Sequence, residues 1–306
     1  MQREVGSNYY FMNWMKFRPL YFLLSATALT FAIYGIINFG FKYSIDFTGG
    51  SVTQYKLDKN IDKNKTVNFF KQNDSGNSFV ELNVVDNKNI EVKFKPDFDQ
   101  KKAQDLTLIM EKELGEKIEL VRFETVGPSL SQEIINKTYV AILIASLGIL
   151  FWVAYQFKSL MFGVSAILAM IHDSIILLGT FAWLGHLKGV EVDILFVTAM
   201  LTILSFSVHD TIVVYDRIRE SLKRSHGIPM LDLANKALGE TMVRSVNNSL
   251  TIIFMLSALF LMGGESIKWF IFALLIGTIS GTYSSPFVAV PLLVTWEEVK
   301  KKLKKN

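Results

Sequence analysis

Apolar residues fall into long blocks along this chain, and six of the blocks approach the length a helix needs to cross a bilayer. A hydrocarbon core about 30 Å thick takes roughly 20 apolar residues in helical form. Residues 20–39 make the first block, with Lys16 and Arg18 before it and Lys42 after it. It is longer than the roughly 7–15 residues of a signal-peptide apolar region, and no small-x-small cleavage pattern follows, so it reads as a retained anchor. The remaining blocks are 139–157, 160–185, 194–215, 245–262 and 269–294.

The stretch between the first two blocks has a different period. Residues 43–137 are polar and nearly balanced in charge. Alternation at Val80, Leu82 and Val84, and again at Ile90, Val92 and Phe94, predicts a hairpin. Asn87-Lys88-Asn89 supplies its turn. Further strands are expected at Ser51–Leu57 and Lys117–Val126, with helices at Lys63–Gln72 and Asp99–Leu114. Asp99 suits the N-cap of the second helix and Gly115 its C-cap. The resulting βαββαβ order over residues 43–130 is that of a ferredoxin-like α+β domain. The expected fold class is therefore an all-α six-helix membrane bundle with this domain inserted after the first span.

Composition agrees: half of the 306 residues are hydrophobic, and mean hydropathy is +0.31. The absence of cysteine excludes disulfides, thiolate metal sites and cysteine nucleophiles. No nucleophile–base pair, phosphate loop or metal-ligand set stands out, so neither an enzyme nor a cofactor is expected. Net charge is only +4, but it is unevenly placed. Residues 216–244 hold Arg217, Arg219, Lys223, Arg224, Lys236 and Arg244, and the tail 295–306 holds Lys300, Lys301, Lys302, Lys304 and Lys305. With residues 1–19 on the cytoplasmic side, the basic connector, Lys158 and the tail all fall inside, as the positive-inside rule asks. Both termini are then cytoplasmic and the 43–130 domain extracytoplasmic. Acidic residues interleave with the basic ones, which argues against nucleic-acid binding.

Ionisable groups inside spans are costly and are functional candidates by default. His172 and Asp173 sit mid-way along the third span, and His209 and Asp210 in the fourth. Asp210 lies six residues before Asp216, about 9 Å of helix rise. Arg244 opens the fifth span from the same side, and its length allows either an Asp210–Arg244 pair or snorkelling to the interface. A carboxylate, a histidine and an arginine on adjoining helices are the components of a proton relay, and equally of structural ion pairs. Gly277, Gly281 and Ser285, with Ser280 and Ser284, recur at four-residue intervals in the last span and predict close helix packing. Pro286 and Pro291 predict a kink there. Leu231, Ala234, Leu238 and Met242 share one face of Met230–Met242, either an interfacial helix on the membrane lipid or a connector packed on the protein.

Several blocks together resemble one family. Asp46-Phe47-Thr48-Gly49-Gly50 is similar to the DFTGG signature of the SecD/SecF proteins, and Val126-Gly127-Pro128 with Ser131 to their VGP motif. Ile171-His172-Asp173 followed by Gly179 resembles an HD…G pattern of the third span. The run from Asp210 to Glu220 resembles the DT(I/V)VV(F/Y)DRIRE block, and Gly281-Thr282-Tyr283-Ser284-Ser285 the GTYSS motif. The motifs occur in order over nearly the whole chain. Six spans with one domain match a separate family member rather than the SecD–SecF fusion. Two positions depart from the family pattern: His209 stands where Asn is usual, and Pro286 where a branched apolar residue is usual.

The resemblance implies an accessory subunit of the Sec export machinery in the bacterial cytoplasmic membrane, of the resistance-nodulation-division permease superfamily, driven by the proton motive force. Its implied partners are SecD, the SecYEG channel, YajC-type accessory subunits and the translocating preprotein. The family implicates an Asp and an Arg at the positions of Asp210 and Arg244 in proton flow. A lipid or drug exporter of the same superfamily and a proton-independent scaffold are the competing expectations.

Overall fold

The computed structural model describes residues 12–58, 63–73, 78–85, 88–224 and 227–303. Asn87 of the expected hairpin turn and Lys304 and Lys305 of the tail lie outside the described residues. The chain divides into two compact units. One comprises residues up to 41, 142–190 and from 195 onward; the other comprises 42–141 and 191–194.

The helical unit is built from α1 (Arg18–Phe39), the later part of α5 (Pro128–Phe157), α6 (Leu160–Lys188), α7 (Ile194–Arg224), α8 (Met230–Met262), α9 (Glu265–Ser284) and α10 (Val290–Leu303). Among the described residues six helices are long and apolar enough to cross a membrane, α9 and α10 counting as one through the turn that joins them. Its largest buried cluster gathers Phe157, Phe162, Tyr215, Ile218, Leu238 and Leu293. α1 lies against α6 at Gly179, where a Cβ would come within 2.3 Å of the Ala32 Cβ and 2.4 Å of its Cα. Only a hydrogen fits there, which is how small residues let membrane helices approach.

Two helices run further than the apolar blocks. α7 continues through the basic DRIRE stretch to Arg224, and α8 starts at Met230, so the amphipathic run Met230–Met242 is the first part of a continuous 33-residue helix. Leu233, Ala234, Ala237 and Leu238 are buried within the unit, and Asn235 Oδ1 accepts from the Met15 amide at 2.9 Å. This segment packs on the protein rather than on lipid. An ion pair of Arg217 with Glu240 joins the end of α7 to α8, while its pair with Glu220 stays within α7. Arg219 reaches the Gln156 carbonyl at 2.6 Å and lies over the Phe157 ring.

At Pro286 the last span neither breaks nor stays α-helical; Ser285–Ala289 form a π-helical turn between α9 and α10. Proline has no N–H and its ring clashes with the carbonyl four residues back. The wider turn accommodates both, and Tyr215 Oη donates to the Ala289 carbonyl at 3.0 Å.

The second unit contains the short helix α2 (Ile45–Thr48), β1 (Gly50–Leu57), α3 (Lys63–Asn73), β2 (Phe79–Val84), β3 (Asn89–Phe94), α4 (Gln100–Leu114), β4 (Ile118–Val126) and the start of α5. The four strands form one antiparallel sheet in the order β2-β3-β1-β4. Tyr55, Leu57, Ile90, Val92 and Phe94 bury one sheet face with Phe70, Leu106 and Met110 of the helices. Asp99 caps α4, accepting from the Lys102 amide at 2.9 Å, and Gly115 ends it in the left-handed conformation.

Candidate functional site

In the helical unit two carboxylates are buried, and their surroundings differ. Asp173 of α6 is fully buried. Its Oδ2 accepts from Ser207 Oγ and Ser284 Oγ, both at 2.6 Å. Its Oδ1 accepts from Ser280 Oγ at 2.6 Å and pairs with His172 Nδ1 at 3.0 Å. One side chain thus ties α6 to α7 and α9, with both oxygens doubly bonded. His172 is buried too, and its Nε2 has no hydrogen-bond partner among the described residues.

Asp210 of α7 is also buried, but only one of its oxygens is bonded. Ser245 Oγ and Ser249 Oγ of α8 donate to Oδ2 at 3.0 and 3.5 Å. Among the described residues no hydrogen bond reaches Oδ1. The two serines are one helical turn apart, so they share the α8 face that meets Asp210. The expected Asp210–Arg244 ion pair is not formed among the described residues: Arg244, one residue before Ser245, is exposed. His209, next to Asp210, is exposed as well. It lines a groove between α5 and α7 with Gly148, Trp152, Ser205 and Ile212.

Outward-facing polar groups continue from there. Thr202, Ser205 and His209 follow one face of α7, and Arg244, Asn248 and Thr251 are exposed on α8. Polar side chains on the outside of apolar helices are expensive against hydrocarbon and mark a protein-facing or water-lined surface.

The GTYSS residues serve this region through packing and hydroxyls. A Cβ on Gly281 would meet the Ser207 Cα at 3.3 Å, so α7 and α9 run close together there. Thr282 bonds its own helix at Thr278, and Tyr283 Oη reaches the Tyr21 carbonyl at 3.1 Å. Ser285 Oγ shares a hydrogen bond of 2.9 Å with Thr211 Oγ. The sequence pattern marks Ser280 and Ser284 as packing residues and does not single out Ser207, Ser245 and Ser249. The i, i+4 spacing of Ser245 and Ser249 was the available signal; that Ser280 and Ser284 donate to Asp173 depends on which helices are neighbours.

The other motif residues belong to the second unit. Asp46, Phe47, Thr48, Gly49 and Gly50 run from α2 into β1, and Gly127 and Pro128 join β4 to α5. Ser131 Oγ donates to the Phe47 carbonyl at 2.6 Å, linking the two motifs. Lys93 and Glu191 form an ion pair with both side chains largely buried. Burial pushes the Glu191 carboxyl above its ordinary value, Lys93 opposing the shift. No cluster of metal-ligating side chains occurs among the described residues.

Six apolar helices with ionisable groups held inside them, and a small antiparallel domain after the first, define a multi-pass membrane protein of the transport type. The family model for the C-terminal region of protein export membrane proteins SecD/SecF matches residues 108–299, and that for the SecD/SecF GG motif matches 34–61. The chain belongs to the SecD/SecF family. It is 40% identical over 297 residues to protein translocase subunit SecF of Thermobaculum terrenum, covering 92% of this chain and 93% of that one. It is 36% identical over 272 residues to SecF of Synechocystis, covering 84% of each. The crystal structure of SecDF of Thermus thermophilus, a translocon-associated membrane protein, superposes with a TM-score of 0.84 at 32% identity. The match covers 94% of this chain and 39% of the SecDF chain, so this protein spans well under half of that relative.

Proposed function

We propose that this chain is a proton-driven accessory subunit of the Sec preprotein translocase, with Asp210 as its exchangeable proton carrier. The observation that carries the assignment is the contrast between the two buried carboxylates. Asp173 has both oxygens doubly bonded, whereas Asp210 has Oδ1 without a hydrogen bond. A group that loads and releases protons needs an oxygen that is not locked to fixed donors.

His209 stands at the groove beside Asp210 and passes protons to it. Arg244, exposed one residue before Ser245, acts as the cation facing the partner subunit. His172 and Asp173 form the inner ionisable pair of the relay. There exchange is assigned to His172 Nε2, which is buried without a partner, while the carboxylate holds the helices. The exposed polar face of α7 and α8 is where a second six-span set would pack. The Thermus relative named SecDF is consistent with SecD supplying it, since this chain matches only 39% of that protein. SecYEG, YajC-type subunits and the emerging preprotein complete the proposed assembly.

The basic connector and tail support the proposed topology, with both termini in the cytoplasm and the sheet domain outside. Its βαββαβ order and β2-β3-β1-β4 sheet support a ferredoxin-like reading. The test is Asp210→Asn in the complex with SecD and SecYEG, reconstituted in proteoliposomes. Proton flux and proton-dependent export should both be lost while assembly with SecD is unchanged. Full export in that variant refutes the assignment. Drug or lipid efflux without preprotein export would favour a small-molecule exporter.

A further inference from the structure

The helical unit has two basic amphipathic stretches, and they differ in what their apolar sides meet. The stretch Met230–Met242 turns Leu233, Ala234, Ala237 and Leu238 into the unit, so its apolar face is used on the protein. α10 ends differently. Val290, Pro291, Leu293 and Val294 are buried, and Glu298 pairs with Arg18 of α1 at 2.9 Å. These contacts hold one side of α10 on the protein.

The other side carries Trp296, Val299 and Leu303, which are 40%, 50% and 73% exposed. At 3.6 residues per turn the three fall within about 60° of one another, opposite the buried side. Lys300 and Lys302 stand on the two flanks of this stripe, each about 40–60° beyond it. Both are exposed, and no ion pair engages them among the described residues. Lys301, between them in sequence, is turned about 160° from the middle of the stripe and pairs with Glu297 at 3.6 Å.

The charges therefore sort by side. Glu297 and Glu298 lie away from the stripe, each with a basic partner, and the stripe keeps two unpaired cations. An aromatic ring beside aliphatic side chains suits the boundary between acyl chains and headgroups. Lysine stems can lie along such a surface while the ammonium reaches the phosphate level. The complement of an apolar stripe with a cation on each flank is an apolar layer edged by negative groups.

We propose that the end of α10 is a seat for anionic phospholipid. Trp296, Val299 and Leu303 enter the acyl layer, and Lys300 and Lys302 bind the headgroup phosphates. On the proposed topology this end meets the cytoplasmic leaflet, whose surface is negative. The seat fixes the inner end of the span whose Ser280 and Ser284 donate to Asp173. The inference goes beyond the export reading and does not depend on it.

The test uses the full chain in nanodiscs of phosphatidylcholine holding a minor fraction of brominated phosphatidylglycerol or, in the second arm, brominated phosphatidylcholine. Quenching of Trp296 is isolated by subtracting the same protein carrying Trp296→Phe. The brominated phosphatidylglycerol should be enriched at Trp296 by about fivefold for each lysine engaged. Lys300→Gln and Lys302→Gln should each remove one such factor, and the double variant should quench alike in both arms. Lys301→Gln should leave the enrichment at the wild-type level. Equal quenching by the two lipids in the wild type overturns the seat. Equal losses from all three single variants overturn it too, since they would show a diffuse basic tail. Weak quenching in both arms would mark a stripe kept in water or reserved for a protein partner, and likewise refutes the proposal.

Discussion

Replacing Asp173 with alanine removes the acceptor shared by Ser207, Ser280 and Ser284, which bind it from α7 and α9 at 2.6 Å. Hydrogen bonds between membrane helices average about 0.6 kcal/mol and reach about 1.7. Three of them come to about 2–5 kcal/mol. The serine hydroxyls recover part of this by turning to carbonyls of their own helix, as Ser284 already does toward Gly281 at 3.4 Å. A loss of about 3 kcal/mol is expected, or about 5 °C in melting temperature for a chain of 306 residues. Asp173→Asn keeps the volume and one carbonyl oxygen, and hydroxyls can rotate to accept from its amide, so it should lose about 1 kcal/mol or less. The assay is thermal unfolding of the purified protein in detergent, with monodispersity followed by size exclusion. An alanine variant melting within about 2 °C of wild type would show that the three serine donors do not hold α6, α7 and α9 together.

Three further outcomes are expected. Gly179→Ala should lower stability by about 1–3 kcal/mol, since its Cβ would meet the backbone of α1 at Ala32; thermal unfolding alongside Asp173→Ala measures it. Tyr215→Phe leaves the Ala289 carbonyl of the π turn without its side-chain donor and should cost about 1 kcal/mol, read by the same melt. Glu191 has its carboxyl raised by burial above the ordinary 4.5, so between these values the folded protein holds more protons than the unfolded one. Stability from this group is then full at low pH and declines as pH rises through the window. Melting scanned upward from about pH 4 should show that decline in wild type, and it should be absent when Lys93→Met and Glu191→Gln are combined.

The same separation runs through the motifs. DFTGG and GTYSS were legible as residue patterns, but their work was not. Asp46 could be placed at the start of the domain, and only the fold brought it to the amide of Ile194. Ser280 and Ser284 were recognised by spacing as a close-packing surface. Their hydroxyls proved to be donors because α9 lies beside Asp173 of α6. Pro286 announced a disturbance; the neighbouring Tyr215 and Thr211 on α7 accompany its π turn.

What the sequence determined by itself was the partition into spans and domain, the strand pattern, and which ionisable residues must lie inside apolar helices. Those follow from local properties: the length of apolar runs, a two-residue alternation, and the cost of charge in hydrocarbon. Tertiary structure decided the partners. Asp210 and Arg244 look paired along the chain, yet the rotation of α8 gives Asp210 to Ser245 and Ser249 and turns Arg244 outward. Residues one position apart on a helix face directions about 100° apart. Which of two neighbours meets a buried carboxylate is therefore set by helix packing and not by proximity in sequence.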